Sequence, residues 1–418
     1  MGTRSSWSPI RPDRRWSVGA ALLLLAALAG CVARSQPPVP SPPAPAWHEV
    51  SLPVAGSGRP QVAALATCPG HWYTGGAYRT PDGATAPALW TSDDGTVWRA
   101  VTTHPVSAYG PSHLLSALAC RGDTVVAVGS AAGGAHGNLR TNTWIRSGDG
   151  PLTEIPATFE LYGGDAAIGV GRLTAGPAGW LLSGARRDAD GQPGAAVWSS
   201  VDGRTFRLVD ADPALESGTG GQTSATDETA GPTGFTLVGS VLPPGSKGPA
   251  RDPLVCVSTD GLHWQRLAIP ATADDEELQR ITRTDTGLLA LGVRAAGFAA
   301  WRTNSTSPTN PTSATNSDGS TAWRQQGRFG AFHGSGLPGV IDLTVVGGTA
   351  YALISDGERY QLWASRNASR EDASWAPLPL PDPLTAADGH RVALVSAGHR
   401  LLLAMDNATA TRLWTVDL

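Results

Sequence analysis

One pattern returns along the chain from Trp47 onward. It consists of an apolar strand, a tight turn, a second apolar strand closing on Gly or Ser, a variable loop, a third strand centred on Trp, a polar turn, and a fourth strand opening on an aromatic. Three copies of the last part align without a gap: Leu89 to Trp98, Val197 to Phe206 and Val255 to Trp264. The third-strand landmark recurs at Trp90, Trp144, Trp198, Trp301, Trp363 and Trp414, with Cys256 standing in the place of the remaining Trp. Second strands close at Gly76, Gly129, Gly184, Gly239, Gly292, Ser355 and Ala404. Apart from Trp7 and Trp16 near the start, every tryptophan sits at such a landmark. Trp47, Trp98, Trp264, Trp323 and Trp375 mark fourth strands, and Trp72 and Trp180 each stand four residues before a closing Gly.

A unit of four short strands cannot bury its own apolar faces, so copies of it must pack against one another. Seven copies at about 53 residues each, slightly longer than known blade repeats, predict an all-β propeller of seven four-stranded antiparallel blades over residues 47–418. The tryptophans then fill the wedges between twisted sheets. The last copy stops at Leu413 to Val416 without a fourth strand, and the first begins with an orphan one, Trp47 to Val50. Pairing the two fragments completes a blade and removes the exposed edges of an open ring.

The Ser-x-Asp-Gly-x-x-Trp turn resembles the Asp-box, the bacterial neuraminidase repeat of sialidases and many other propellers. Its physics is local: the carboxylate accepts backbone N–H groups across the turn and Gly takes a conformation closed to residues with Cβ. It is therefore a fold staple. The resemblance makes a divergent sialidase-like glycoside hydrolase the alternative function, yet the rest of that pattern is missing. Sialidases have six blades, an aromatic-Arg-Ile-Pro segment, three substrate-gripping arginines, a Tyr/Glu nucleophile pair and an Asp acid. Here Gly58-Arg59-Pro60 lacks the aromatic and the Ile, and Glu160 and Tyr162, read as alternating in a strand, come without the arginines. No catalytic residue is assigned.

Residues 1–30 carry Arg4, Arg11, Arg14 and Arg15, then an apolar run from Val18 to Ala29, which reads as an export signal. That run is shorter than the roughly 20 residues a membrane span needs. Leu28-Ala29-Gly30-Cys31 resembles the bacterial lipobox, which implies cleavage before Cys31, lipid (a diacylglycerol, with palmitate among its acyl chains) on its thiol, and display on the outer face of the cytoplasmic membrane. Arg14-Arg15 leaves general secretory and twin-arginine export both open. Residues 31–46 form the lipidated Cys and a Pro-rich linker, whose fifteen residues after Cys31 reach roughly 45 Å at about 3.1 Å each in polyproline II.

Net charge is −4, and it becomes −7 once the four arginines and Asp13 of residues 1–30 are removed. That balance argues against nucleic acid as a partner. No Cys-x-x-Cys, His-Glu-x-x-His or phosphate-cradling glycine loop is present, so no metal site and no cofactor are expected. All seven loops between second and third strands hold arginine: Arg79, Arg140, Arg186 with Arg187, Arg251, Arg294, Arg359 and Arg412. That is little more than the arginine content of the chain gives by chance. Cys68 and Cys120 end the innermost strands of adjacent blades and are expected to form a disulfide, with Cys256 a buried free thiol. Two stretches, Ala211 to Ala230 and Thr303 to Thr321, read as surface loops because they are rich in Gly, Ser, Thr, Asn and Pro. The function these features support is a membrane-tethered, non-catalytic binding or scaffolding propeller for a protein or glycan.

Overall fold

A computed structural model describes residues 45–54, 58–134, 137–246, 250–303, 323–366, 368, 370 and 373–418. The export signal, Cys31, most of the Pro-rich linker and residues 304–321 lie outside the described residues. The rest is a ring of seven antiparallel four-stranded sheets. In blade 1 the strands run outward as Arg59–Cys68, His71–Arg79, Thr85–Ser92 and Arg99–Val101. The innermost strands of blades 2 to 7 are Leu114–Arg121, Ala167–Gly176, Gln222–Gly231, Glu276–Thr284, Gly339–Val346 and Arg391–Ala397. Blade 2 gains a short fifth strand, Thr103–His104, parallel to its outermost strand Leu152–Ile155. Closure is as the chain ends implied: His48–Val50 pairs antiparallel with Thr411–Asp417, placing Glu49 opposite Trp414. Arg59 adds a second stitch between blades 1 and 7, with its guanidinium 3.1 Å from Asp406 and 2.5 Å from the Ala408 carbonyl.

The third-strand landmark has a polar duty as well as an apolar one. Trp90 and Trp198 are buried, and their indole N–H groups donate to the incoming loop of the same blade, at Pro53 O (3.0 Å) and Leu161 O (2.7 Å). In blade 4 the Cys256 thiol donates to Ala214 O at 3.4 Å, so the substitution keeps the donor while shrinking the side chain. Burial pushes that thiol up to about 12, which keeps it protonated and unreactive.

Second-strand glycines are explained by bulges in the innermost strands. Blades 1 to 6 all break register there, as between Ala225 and Asp227 in blade 4 and between Leu278 and Arg280 in blade 5. The bulge pushes a carbonyl against the neighbouring strand, and a Cβ on Gly76, Gly239 or Gly292 would stand 1.8 Å from Gln61 O, Ser224 O or Glu277 O. The Ser-x-Asp-Gly turns join third to fourth strands. Asp94 accepts Thr96 N (2.8 Å) and Val97 N (2.9 Å), Asp202 accepts Arg204 N and Thr205 N, and Asp260 accepts Leu262 N and His263 N. Gly95 holds φ at 75°. Through side-chain and backbone hydrogen bonds, first of all from Thr96, the Asp94 carboxyl is held well below the usual carboxylate range.

Two expectations fail. Ala211 to Ala230 is not a loop throughout. Gln222–Gly231 is the innermost strand of blade 4, and Ala214 and Leu215 before it are buried. A strand facing the central channel needs no apolar alternation, so its polar composition misreads as a loop. Glu160 and Tyr162 do not alternate in a strand either. They occupy one helical turn, Phe159–Tyr162, with Tyr162 buried 5.8 Å from the Trp198 ring and Glu160 exposed. The phenol caps the core, so the pair shares no surface.

Candidate functional site

The bulges that shape the blades also aim side chains into the channel. Arg172 lies in the blade 3 bulge, while Asp227, Arg280 and Asp342 each follow the bulge of blades 4, 5 and 6. The signs therefore alternate around half of the ring, whereas blades 1 and 2 carry Ala64 and Ala117 at the same step. Arg172 spans the lumen from blade 3 to blade 6, where it meets Asp342 Oδ1 at 3.2 Å and Ile341 O at 2.8 Å. Arg280 donates to that same Ile341 carbonyl at 2.5 Å. The acids clamp neighbouring blades, Asp227 accepting Ile281 N and Asp342 accepting Leu394 N, at 2.9 and 2.8 Å.

Glu228 turns the other way, between blades 3 and 4, and bonds the Ser183 hydroxyl through one oxygen. Its second oxygen is buried with no partner among the described residues. Burial, reinforced by the charge of Asp227, pushes Glu228 up to about 8. Asp227 is also raised by burial, though Arg172 and Arg280 oppose this. Burial works against the charge on Arg172, but Asp342 and Asp227 outweigh it and hold the group above its usual range. Burial and the neighbouring Arg172 bring Arg280 down to about 10, which leaves it charged at neutral pH. Two arginines and two aspartates thus meet in the channel, with the Glu228 carboxyl buried behind them between blades 3 and 4. None of the five was singled out from the sequence. A charged residue just after the inner-strand register break marks Asp227, Arg280 and Asp342, but neither Arg172 nor Glu228.

The arginines of the loops between second and third strands do not form one ring of free cations. Arg251 bonds Asp275 at 2.8 Å and Glu277 at 3.1 Å, and Arg294 bonds Asp274 and Glu276. Arg359 pairs with Glu358, and Arg412 with Glu49 and Asp382. Blades 1 to 3 differ. Among the described residues no carboxylate pairs with Arg79, Arg140, Arg186 or Arg187. Arg140 lies 3.9 Å over the Phe159 ring and 5.7 Å from the Tyr109 ring, while Arg186 and Arg187 donate to the carbonyls of Glu160 and Gly191.

On the opposite face Cys68 and Cys120 end adjacent innermost strands with their Cα atoms 5.9 Å apart and their sulfurs bonded. Cys256 is free and buried. His263 bonds Asp260 within its turn, and His48 is exposed on the closing strand. Among the described residues no cluster of His, Cys, Asp and Glu has the makings of a metal site.

Fold and site together define a seven-bladed β-propeller with a salt-bridged channel. No protein-family model matches the chain, and no curated protein matches it. Solved propellers do. YCF48 bound to D1 peptide is 13% identical, with 92% of this chain and 99% of that one covered and a TM-score of 0.50. Trypanosoma rangeli sialidase in complex with the inhibitor DANA is 11% identical over 89% of this chain and 60% of that one, with a TM-score of 0.45. Sucrose-6-phosphate hydrolase from Lactobacillus gasseri is 8% identical over 87% and 92%, with a TM-score of 0.38. At 13% identity the likeness to YCF48 is one of fold alone.

Proposed function

We propose that this protein is a non-catalytic binding or scaffolding propeller, carried on the outer face of a bacterial cytoplasmic membrane by lipid on Cys31. It engages a protein partner through the face made by the loops between second and third strands and between successive blades. The observation that carries this reading is the use to which its charged and aromatic residues are put. Tyr162 packs in the core, Arg59 ties blade 1 to blade 7, and Arg172 and Arg280 are held by Asp342 and the Ile341 carbonyl. A group engaged this way gains little by meeting a substrate, since its donors must first be freed. The similar propeller solved with a bound peptide makes a peptide the ligand class to test.

The test has two parts. Wild-type protein should fractionate with membranes and carry acyl mass, and Cys31→Ser should be released. Purified full-length protein should leave fluorogenic sialosides intact while cross-linking to a defined envelope protein. Sialoside hydrolysis would replace this reading with the glycoside-hydrolase alternative, and a wild type without acyl mass would remove the tether.

A further inference from the structure

We propose that the partner binds the loop face over blades 1 to 3 and presents an extended peptide segment bearing apolar side chains and carboxylates. This rests on the binding reading above and narrows it to a place and a chemistry.

The choice of face follows from topology. Third strands run from the loop face to the Ser-x-Asp-Gly turns, so fourth strands run back from the turns. His48–Val50 is a fourth strand, antiparallel to Thr411–Asp417, and it therefore starts on the turn face. The described chain therefore begins on the turn face, which leaves the loop face on the opposite side.

The choice of sector follows from what is exposed. Among the described residues Val54, Val106, Tyr109, Leu139 and Ile168 stand open on the loop face of blades 1 to 3, Leu139 at 57% and Val106 at 60%, against one such residue, Leu337 at 92%, on the loop face of blades 4 to 7. Ile168 is extruded by a register break between Ala167 and Gly169. Large apolar side chains concentrated on one sector of a face offer a partner more to bury than single ones spread around the ring. Contacts knit the sector together. Thr85 bonds Ser112 O, Gly134 N donates to the Tyr109 hydroxyl, Arg140 lies between the Tyr109 and Phe159 rings, and Arg186 reaches Glu160 O.

The occupant's chemistry follows from the arginines. Those of blades 4 to 7 are paired with carboxylates, while Arg79, Arg140, Arg186 and Arg187 are not, among the described residues. Arg79 and Arg187 are exposed in the loops between second and third strands of blades 1 and 3. The nearby acids Asp82 and Asp188 bond within their own turns and pair with neither guanidinium, so Arg187, which donates only to the Gly191 carbonyl, and Arg79 keep donors for a carboxylate. Because these acids dilute the long-range field, recognition comes from short guanidinium–carboxylate contacts rather than steering.

Fluorescence anisotropy on the full-length protein in detergent tests this with two labelled peptides, one built of Glu, Leu and Phe and one with Lys in place of Glu. The acidic peptide should bind about tenfold or more tighter than the basic one. Leu139→Glu combined with Arg187→Glu should lose at least that factor while melting like wild type, and Val201→Glu on the turn face should change nothing. Equal binding of the two peptides, or undiminished binding by the loop-face variant, overturns the proposal. If Val201→Glu is the variant that weakens binding, the sector is wrong while the binding reading stands. Sialoside hydrolysis without peptide binding would remove both.

Discussion

Replacing Glu228 with Gln should stabilise the protein, and more so the higher the pH. Folding raises this carboxyl from 4.5 to about 8, through burial and the charge of Asp227. Between those values the folded chain holds a proton that the unfolded chain has released. Stability from this group is therefore fully present below about pH 4.5 and is lost as pH rises through about 8, the reverse of a salt-bridged carboxylate. A displacement of that size corresponds to at most about 5 kcal/mol. Because the charge of neighbouring Asp227 supplies part of that displacement and titrates with it, about 1–3 kcal/mol is expected between about pH 5 and about pH 8.5. The Gln amide keeps the bond to Ser183 and carries no charge at any pH. Guanidinium unfolding midpoints of wild type and Glu228→Gln at the two pH values give the comparison. The variant should match wild type at the lower pH and exceed it at the higher. A difference that is flat with pH, or that favours wild type at high pH, refutes the assignment of a neutral Glu228.

Three further predictions follow from the fold. Closing the loop from Cys68 to Cys120 should contribute about 2–4 kcal/mol, so a Cys68→Ser, Cys120→Ser variant melts lower. Alkylation of both cysteines in denatured, unreduced wild type would contradict the bridge. Deleting residues 46–52 removes the closing strand together with Trp47, Val50 and Leu52, which pack on buried cores, and should cost about 3–6 kcal/mol by the worth of buried apolar side chains. A truncation that melts at the wild-type temperature defeats the closure scheme. Gly239→Ala forces a Cβ against Ser224 O and should destabilise by at least about 2 kcal/mol, whereas Gly327→Ala, with open space at its Cβ, should stay within about 0.5 kcal/mol in urea midpoints.

Much of the architecture is local and therefore readable along the chain. Tryptophan spacing counts the blades because each ring fills a wedge that recurs once per sheet. The Ser-x-Asp-Gly turns fix where third strands end because the carboxylate and the glycine act within a few residues. The closing pair was visible as two complementary fragments, Trp47 to Val50 and Leu413 to Val416, which the structure pairs as His48–Val50 with Thr411–Asp417. What the tertiary structure alone decided lies on the axis and between blades. Gln222–Gly231 has the composition of a loop, and only the ring makes it a strand, because its polar side chains Thr226 and Asp227 bond the backbone of the next blade's inner strand at Leu278 O and Ile281 N. Arg172 and Asp342 meet from opposite sides of the lumen, and no sequence spacing encodes that distance. The arginines between second and third strands look alike in sequence, yet Arg251 is neutralised by acids of the next blade and Arg412 by Glu49 of the closing strand, which only the fold brings up. Pairing of charges depends on three-dimensional separation, since Coulomb attraction falls with distance and with intervening water, and a linear chain specifies neither until its blades have closed.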